Sequence, residues 1–436
     1  EEEEEFILAN ELTLGLDADE DDEEVEDENE EKITSKTDSE KKKNKTVNYG
    51  KISSAIGKMQ QKGINVTLPD INKSKYTFTP DVPNDKILYG IKGITRVGDN
   101  LVKEIIENRP YASLQDFLRK VKVNKLQIVN LIKAGAFDNL EQKTRQAILY
   151  EYLESVSDVK KDCNLRNMQM LINQKLIPEE YEFYQKLFNF NKYLKKAKAG
   201  SFYLLDEIAF KFYEVHYNVD LLTIENNKVY IDQKVWDKIY TKGMDPMRAF
   251  LKQNKEEMLR KMNSNLVEEL VEKYAEGSLA KWEMSSLGFY HTEHELAAVD
   301  FKKYDIRNFF EQSEEPEVET VFFPKGREKP VPIFKIYRIC GTVIHKDKTK
   351  HIVTLLTTNG VVNIKVWQAQ FTKYDKQISE KLPNGKKRIV EKSWFSRGNK
   401  LMVTGFRRGD DFIPKIYSKS IYQHPFELID TIEEDG

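Results

Sequence analysis

Two short stretches of this chain carry the residue types that can hold a phosphate. Thr95-Arg96-Val97-Gly98 and Ala134-Gly135-Ala136 each set a glycine between apolar helical segments. A tight turn of that kind can aim consecutive backbone N–H groups at one phosphate, using the unsatisfied donors at a helix start. Such contacts read the backbone and not the base sequence. A glycine that only ends a helix would look the same in either stretch alone, but two turns about forty residues apart point to a paired helix-hairpin-helix unit. The candidate contacts are Lys92, Arg96, Val97, Gly98 and Asn100 at the first turn, and Lys133 and Gly135 at the second.

A second set lies near the end of the chain. Lys365 and Trp367 alternate along one expected strand, and Arg407, Arg408, Lys415 and Tyr417 cluster on the last expected hairpin. Cations can track phosphates while aromatic faces stack on bases. The competing readings are core packing for Trp367 and a solvated face for the cations. Other chemistry finds little support. There is no P-loop and no nucleophile elbow. His291 and His294 have no Cys or further His nearby to complete a metal site, and Asp410-Asp411 reads as a solvated turn. No catalytic residue, metal site or cofactor is expected in this chain.

The elements that would position these residues follow from periodicity. Residues 1–47 form an acidic leader, then a Lys/Ser/Thr-rich stretch, too polar to offset the entropy of ordering, and disorder is expected. Tyr49–Lys62 turns amphipathic, with Ile52, Ile56 and Met59 at helical spacing; a Pro-marked stretch of loops and short strands runs on to residue 86. Residues 87–157 read as compact helices. Leu101, Val102, Ile105 and Ile106 share one face, Ser113 with Asp116 suggests a capping box, and a helix opened by Asn124 stops at Gly135. Residues 158–317 read as a mostly helical, Lys-rich insertion and linker, with one hairpin turning at Asn226-Asn227. From about Val318 the period drops to two, and five strands with a helix between the third and fourth describe an OB-fold over 318–423. An acidic tail, 424–436, follows. The fold class is α+β and multidomain: a helical tandem helix-hairpin-helix domain, a helical insertion and a C-terminal β-barrel.

Net charge conceals a basic body. The chain totals −3, yet residues 1–31 hold 18 acids and no base, so residues 32–436 carry about +15. That surplus suits a polyanionic partner. No apolar run approaches the length of a membrane span, and two distant cysteines, Cys163 and Cys340, cannot build a disulfide or zinc framework. A reducing cytoplasm is the expected compartment. The chain opens on glutamates and not Met, so a fragment or processed piece is expected.

Four strings in order, GINVTLPDINKSKYTF, ILYGIKGITRVGDNLV, ENRPYASLQDFLRKV and NKLQIVNLIKAGAFDNL, and later SSLGFYHTEHEL, resemble the alpha subunits of bacterial DNA polymerase III, the family C replicative polymerases. The likeness is close over 50–157 and looser over 282–420. It implies that 48–86 is the end of a fingers domain, 87–157 a tandem helix-hairpin-helix domain, and the barrel a single-strand binder. Arg96 stands where that family usually has Gly, and Glu293 and Glu295 replace Gly and Pro around His294. The family's palm aspartates do not occur; PDIN at 69–72 fits the fingers string. The resemblance therefore implies a non-catalytic, DNA-gripping part, with Mg²⁺ held by a palm supplied elsewhere. It also suggests a sliding-clamp peptide at Gln185, Leu187, Phe188 and Phe190, although these residues equally suit a helical core. The expected partners are duplex and single-stranded DNA, the palm and the clamp, with no membrane. Lys/Asn/Ile-rich usage points to a bacteriophage and hence a host cytoplasm. The alternative is a stand-alone single-stranded-DNA-binding accessory protein.

Overall fold

The computed structural model describes residues 48–197, 200–326, 329–381 and 387–430. The expected leader lies outside the described residues. Asn48 caps α1 (Tyr49–Gln61) with its side chain, and Ile52, Ile56 and Met59 point inward at the expected spacing. Next come β1 (Asn65–Val66), β2 (Thr79–Asp81) and β3 (Lys86–Leu88), a small sheet with β3 central. Asp70 of the PDIN string accepts the N–H groups of Asn72 and Lys73, so its carboxylate shapes its own turn.

The helical block comprises α2 (Asp99–Glu107), α3 (Leu114–Lys120), α4 (Lys125–Lys133), the one-turn α5 (Asp138–Glu141) and α6 (Arg145–Ser155). Leu101, Val102 and Ile105 are buried on α2 as expected, with Ile106 at the margin. At α3, Ser113 Oγ accepts the Asp116 N–H, but the Asp116 carboxylate takes the N–H of Ala112, one residue earlier than a capping box requires. Asn124 and Gln127 do form the full reciprocal box on α4.

Tyr150–Glu276 is a compact unit of its own. It holds α7 (Met168–Asn173), α8 (Glu182–Tyr193), β4 (Lys195–Lys196), β5 (Phe202–Leu205), α9 (Glu207–His216), β6 (Leu222–Glu225), β7 (Lys228–Asp232), α10 (Gln233–Gly243), α11 (Asp245–Gln253) and α12 (Lys255–Tyr274). The expected hairpin is β6–β7, with Asn226 and Asn227 at φ 50° and 58°. It belongs to a four-stranded antiparallel sheet of order β4-β5-β7-β6, which sequence periodicity reduced to the hairpin alone. Leu187, Tyr213, Trp236 and Met247 lie at the centre of this unit's core.

Residues 48–149 and 277–430 fall in the other unit, so the segments expected as fingers remnant, helical block and barrel share one compact body. α13 (Leu279–Leu287) starts at a Ser278 cap and stops at Gly288. β8 (Val318–Phe322) and β9 (Val331–Phe334) then pair only with each other, so the barrel begins later than the Val318 read from the sequence. Its strands are β10 (Tyr337–Asp347), β11 (Ile352–Thr357), β12 (Gly360–Lys365), β15 (Lys400–Arg408) and β16 (Asp411–Pro414). Between the third and fourth lie α14 (Gln368–Tyr374) and a hairpin of β13 (Ile378–Lys381) and β14 (Lys387–Glu391). The order β10-β11-β12-β16-β15 closes through β10–β15, and β12–β16 is its parallel pair. This is the OB-fold arrangement, filled by Val343, Leu355, Ile364, Val403 and Phe412. β17 (Phe426–Leu428) adds to β15 and buries Phe426, so the expected acidic tail starts inside the sheet.

α1 lies across the outer side of β10–β12. Gly50 and Gly57 make this possible, because a Cβ at either would overlap His345 or Val361. Met284 and Tyr290 pack against Ile344 and Leu356 on the same barrel wall.

Candidate nucleic-acid interface

The first hairpin turns between buried Ile94 and buried Val97, with Arg96 at φ 67°. That left-handed conformation is one a glycine adopts freely, and it falls where the resembling family usually has one. Gly98 is the N-cap of α2 with no side-chain cap, and the helix's first backbone bond is Val102 N–H to Gly98 O. The N–H groups of Asp99 and Asn100 thus belong to the unpaired first turn. Gly98, Asp99 and Asn100 are exposed, and a Cβ on Gly98 would meet only open space. No internal contact requires glycine there. Lys92 is largely buried, with its ammonium 2.7 Å from Asp99, which also accepts a 2.6 Å hydrogen bond from Tyr76. The hydrogen bond from Lys92 is the chief reason the Asp99 carboxyl stays ionised below its ordinary range. Lys92 therefore neutralises a carboxylate that would otherwise repel a phosphate at this helix start.

The hairpin is held from two sides. Thr95 donates its N–H to Ser286 O and its hydroxyl to Ser285 O on α13, while Asn130 of α4 donates to Thr95 O.

The second hairpin has a different job. Gly135, at φ 81°, ends α4 with its N–H on Ile132 O, while the Ala136 N–H reaches Leu131 O; together these form a Schellman motif. Ala134 through Phe137 are buried, and the Gly135 Cα faces Leu68, Asp138 and Arg145. The expected close approach of a phosphate to Gly135 thus meets protein instead of solvent. Beneath it, Arg145 bonds Asp138 at 2.8 Å and Glu283 at 2.9 Å. Glu283 is fully buried and also accepts the N–H groups of His291 and Thr292 and the Thr292 hydroxyl. Lys133 lies 5.4 Å from the ring of Trp282. This hairpin is an interior joint between the helical block and α13, one that no local string in the sequence announces.

On the barrel, the parallel β12 and β16 bring Lys365–Trp367 and Lys415–Tyr417 to the same end. Val366 N–H to His351 O ties the β10–β11 turn to that rim. Trp367 is 70% exposed. It has left the strand and sits at the N-cap of α14, which corrects the expected alternation with Lys365 along β12. Lys365, Lys415, Lys348 and Lys350 are exposed at this end, and the Lys415 ammonium lies 5.6 Å from the Tyr417 ring. Lys348 and Lys350 escaped the sequence reading, although HKDKTKH between two strands carries the signal. Arg407 and Arg408 sit at the far end of β15. Arg407 is packed inward, donating to Gln312 O and Gly409 O and stacking 4.5 Å from Phe309, so it holds the 309–314 segment. Arg408 is exposed beside Phe334 and Phe406.

Gln185, Leu187, Phe188 and Phe190 lie on α8, where Leu187 is fully buried and Phe190 packs on Phe212 and Trp236. Leu187, Phe188 and Phe190 thus take part in the helical core of this unit. His294 receives the Leu296 N–H on Nδ1 and sits 2.8 Å from Leu356 O through Nε2, and burial pushes its pKa down. Glu295, where the family usually has Pro, accepts from Tyr290 and pairs with Lys400 at 3.3 Å. Among the described residues no cluster of His, Cys, Asp or Glu is arranged to hold a metal, and no helix is long and apolar enough to cross a membrane.

The fold and these sites define a helix-hairpin-helix chain with a closed OB-type barrel. Residues 63–147 match the family model described as a helix-hairpin-helix motif. The chain is 39% identical over 416 residues to the probable DNA polymerase YorL of Bacillus subtilis (strain 168), covering 93% of this chain and 31% of that protein. The same figures hold for the DNA-directed DNA polymerase of Bacillus phage SPbeta. It is also 37% identical over 123 residues to the DNA polymerase III subunit alpha of Borreliella burgdorferi, covering 27% of this chain and 10% of that subunit. The chain therefore spans 31% of the length of the first two relatives. The resemblance to polymerase III alpha subunits, and the phage connection, are borne out.

Proposed function

We propose that this chain is a DNA-gripping part of a replicative polymerase of the polymerase III alpha type. The exposed start of α2 holds a phosphate of the primer–template duplex through the N–H groups of Asp99 and Asn100, with Gly98 permitting close approach. Arg96 adds charge beside it. The barrel rim, with Trp367 as stacking face and Lys365, Lys415, Lys348 and Lys350 as phosphate contacts, takes single-stranded template. The wall of β10–β12 is shielded by α1, so the rim is the part of the barrel left for nucleic acid. Nucleotidyl transfer belongs to a palm outside this sequence, on the same polypeptide or on another subunit, and Mg²⁺ belongs with that palm.

One observation chiefly supports the reading: the uncapped helix start and the aromatic rim share the compact unit that holds the chain's basic excess. Residues 150–276 are nearly neutral, with 20 Lys and Arg against 21 Asp and Glu. Residues 48–149 and 277–430 carry 43 against 28. Primer extension tests the non-catalytic part of the proposal. The purified chain with Mg²⁺ and all four nucleotides leaves a primer unextended; extension that co-purifies with the protein and needs the metal contradicts it.

A further inference from the structure

The β8–β9 ribbon pairs with no other described strand, and most of its apolar side chains on the β8 side face solvent. Phe322 is 56% and Phe323 66% exposed, with Val318 and Val321 also open to solvent. A two-stranded ribbon is marginal by itself, and exposed aromatic pairs cost solubility unless something covers them. We propose that this ribbon is a second single-strand contact, taking unpaired DNA bases on Phe322 and Phe323 while Lys325 and Lys329 meet the adjacent phosphates. The proposal rests on the reading of the barrel as a DNA-handling domain and extends it to a surface outside the barrel.

Continuity and charge favour nucleic acid over a protein partner. At its base, the ribbon bridges from Tyr417 to the far end of β15: Phe334 N–H donates to the Tyr417 hydroxyl, its ring lies 4.8 Å from Phe406, and Arg408 lies 5.7 Å away. A strand lying on Lys415 and Tyr417 can therefore continue along Arg408 toward the ribbon. The turn end carries the exposed Lys325 and Lys329. The stem is acidic, but Glu317 pairs with Lys335 and Glu314 with Arg407, both at 3.5 Å. Glu315 and Glu319 remain on the stem and confine phosphate contact to the tip. Aromatic faces stack on any base, so the contact is indifferent to sequence.

The test uses the full chain and a fluorescein-labelled single-stranded oligothymidylate, with blunt duplex as comparison and melting temperature as a fold control. Phe322→Ser/Phe323→Ser weakens single-strand binding about fivefold or more, the lower end of what one lost base stack costs. Blunt-duplex binding is unchanged. Leucine at both positions keeps the apolar bulk and fails to restore affinity. If leucine restores it fully, the ribbon packs as an apolar surface and the stacking proposal is overturned. An unaltered serine variant, with Trp367→Ala still weakening binding, overturns the ribbon and leaves the barrel reading standing. If neither variant weakens binding, both fall. A wild-type chain that self-associates in sedimentation, with a monomeric serine variant of equal DNA affinity, marks a self-association surface and also overturns the proposal.

Discussion

Gly98 and Gly135 show how two glycines of similar sequence context acquire different jobs. Gly98 has an ordinary extended backbone and open space where a side chain would stand; Gly135 is left-handed and hemmed in by Leu68, Asp138 and Arg145. A β-branched residue in that left-handed position is strained whatever the space allows, and here it also meets neighbours within 3.2 Å. Gly135→Val is expected to cost roughly 2 kcal/mol or more of stability, read as a lowered melting temperature, while the folded fraction keeps its DNA affinity. A Gly135→Val protein that melts normally would show that the turn is not the interior joint described. Lys92 and Arg407 carry the same lesson for charge. Both were legible as cations, but one neutralises Asp99 and the other clamps a loop, so neither presents its charge freely to solvent.

At the scale of elements, periodicity and capping residues made most of the architecture readable. The α2 face, the Asn124 box, the Asn226-Asn227 turn and the five barrel strands all follow from local rules. What periodicity could not show was long-range. Strand pairing makes β4 and β5 partners of β7, pairs β17 with β15, and detaches β8–β9 from the barrel; none of these has a local signature. The union of α6 and α13 through Arg145 and Glu283 spans 138 residues of sequence. Glu283→Ala leaves Arg145 with Asp138 alone and strands the N–H groups of His291 and Thr292, so it is expected to destabilise by about 3–5 kcal/mol. Glu283→Gln keeps an oxygen acceptor for these donors and is expected to cost less than Glu283→Ala. Equal losses for the Gln and Ala variants would mean that the destabilisation does not arise from the stranded donors.

For the whole molecule, the proposed division of labour lies inside one compact body, with duplex held at the α2 start and single strand at the barrel rim. Binding of the full chain to a blunt duplex and to a single strand, measured against salt for the wild type, Gly98→Val and Trp367→Ala, tests this most directly. The account predicts that Gly98→Val weakens duplex binding equally for unrelated sequences, since backbone contacts carry no base information. Trp367→Ala is predicted to weaken single-strand binding by about fivefold or more and to spare the duplex. For the duplex, the log–log salt slope is predicted to be about −0.9 per phosphate neutralised. Normally folded variants that bind both DNAs like the wild type would contradict the account.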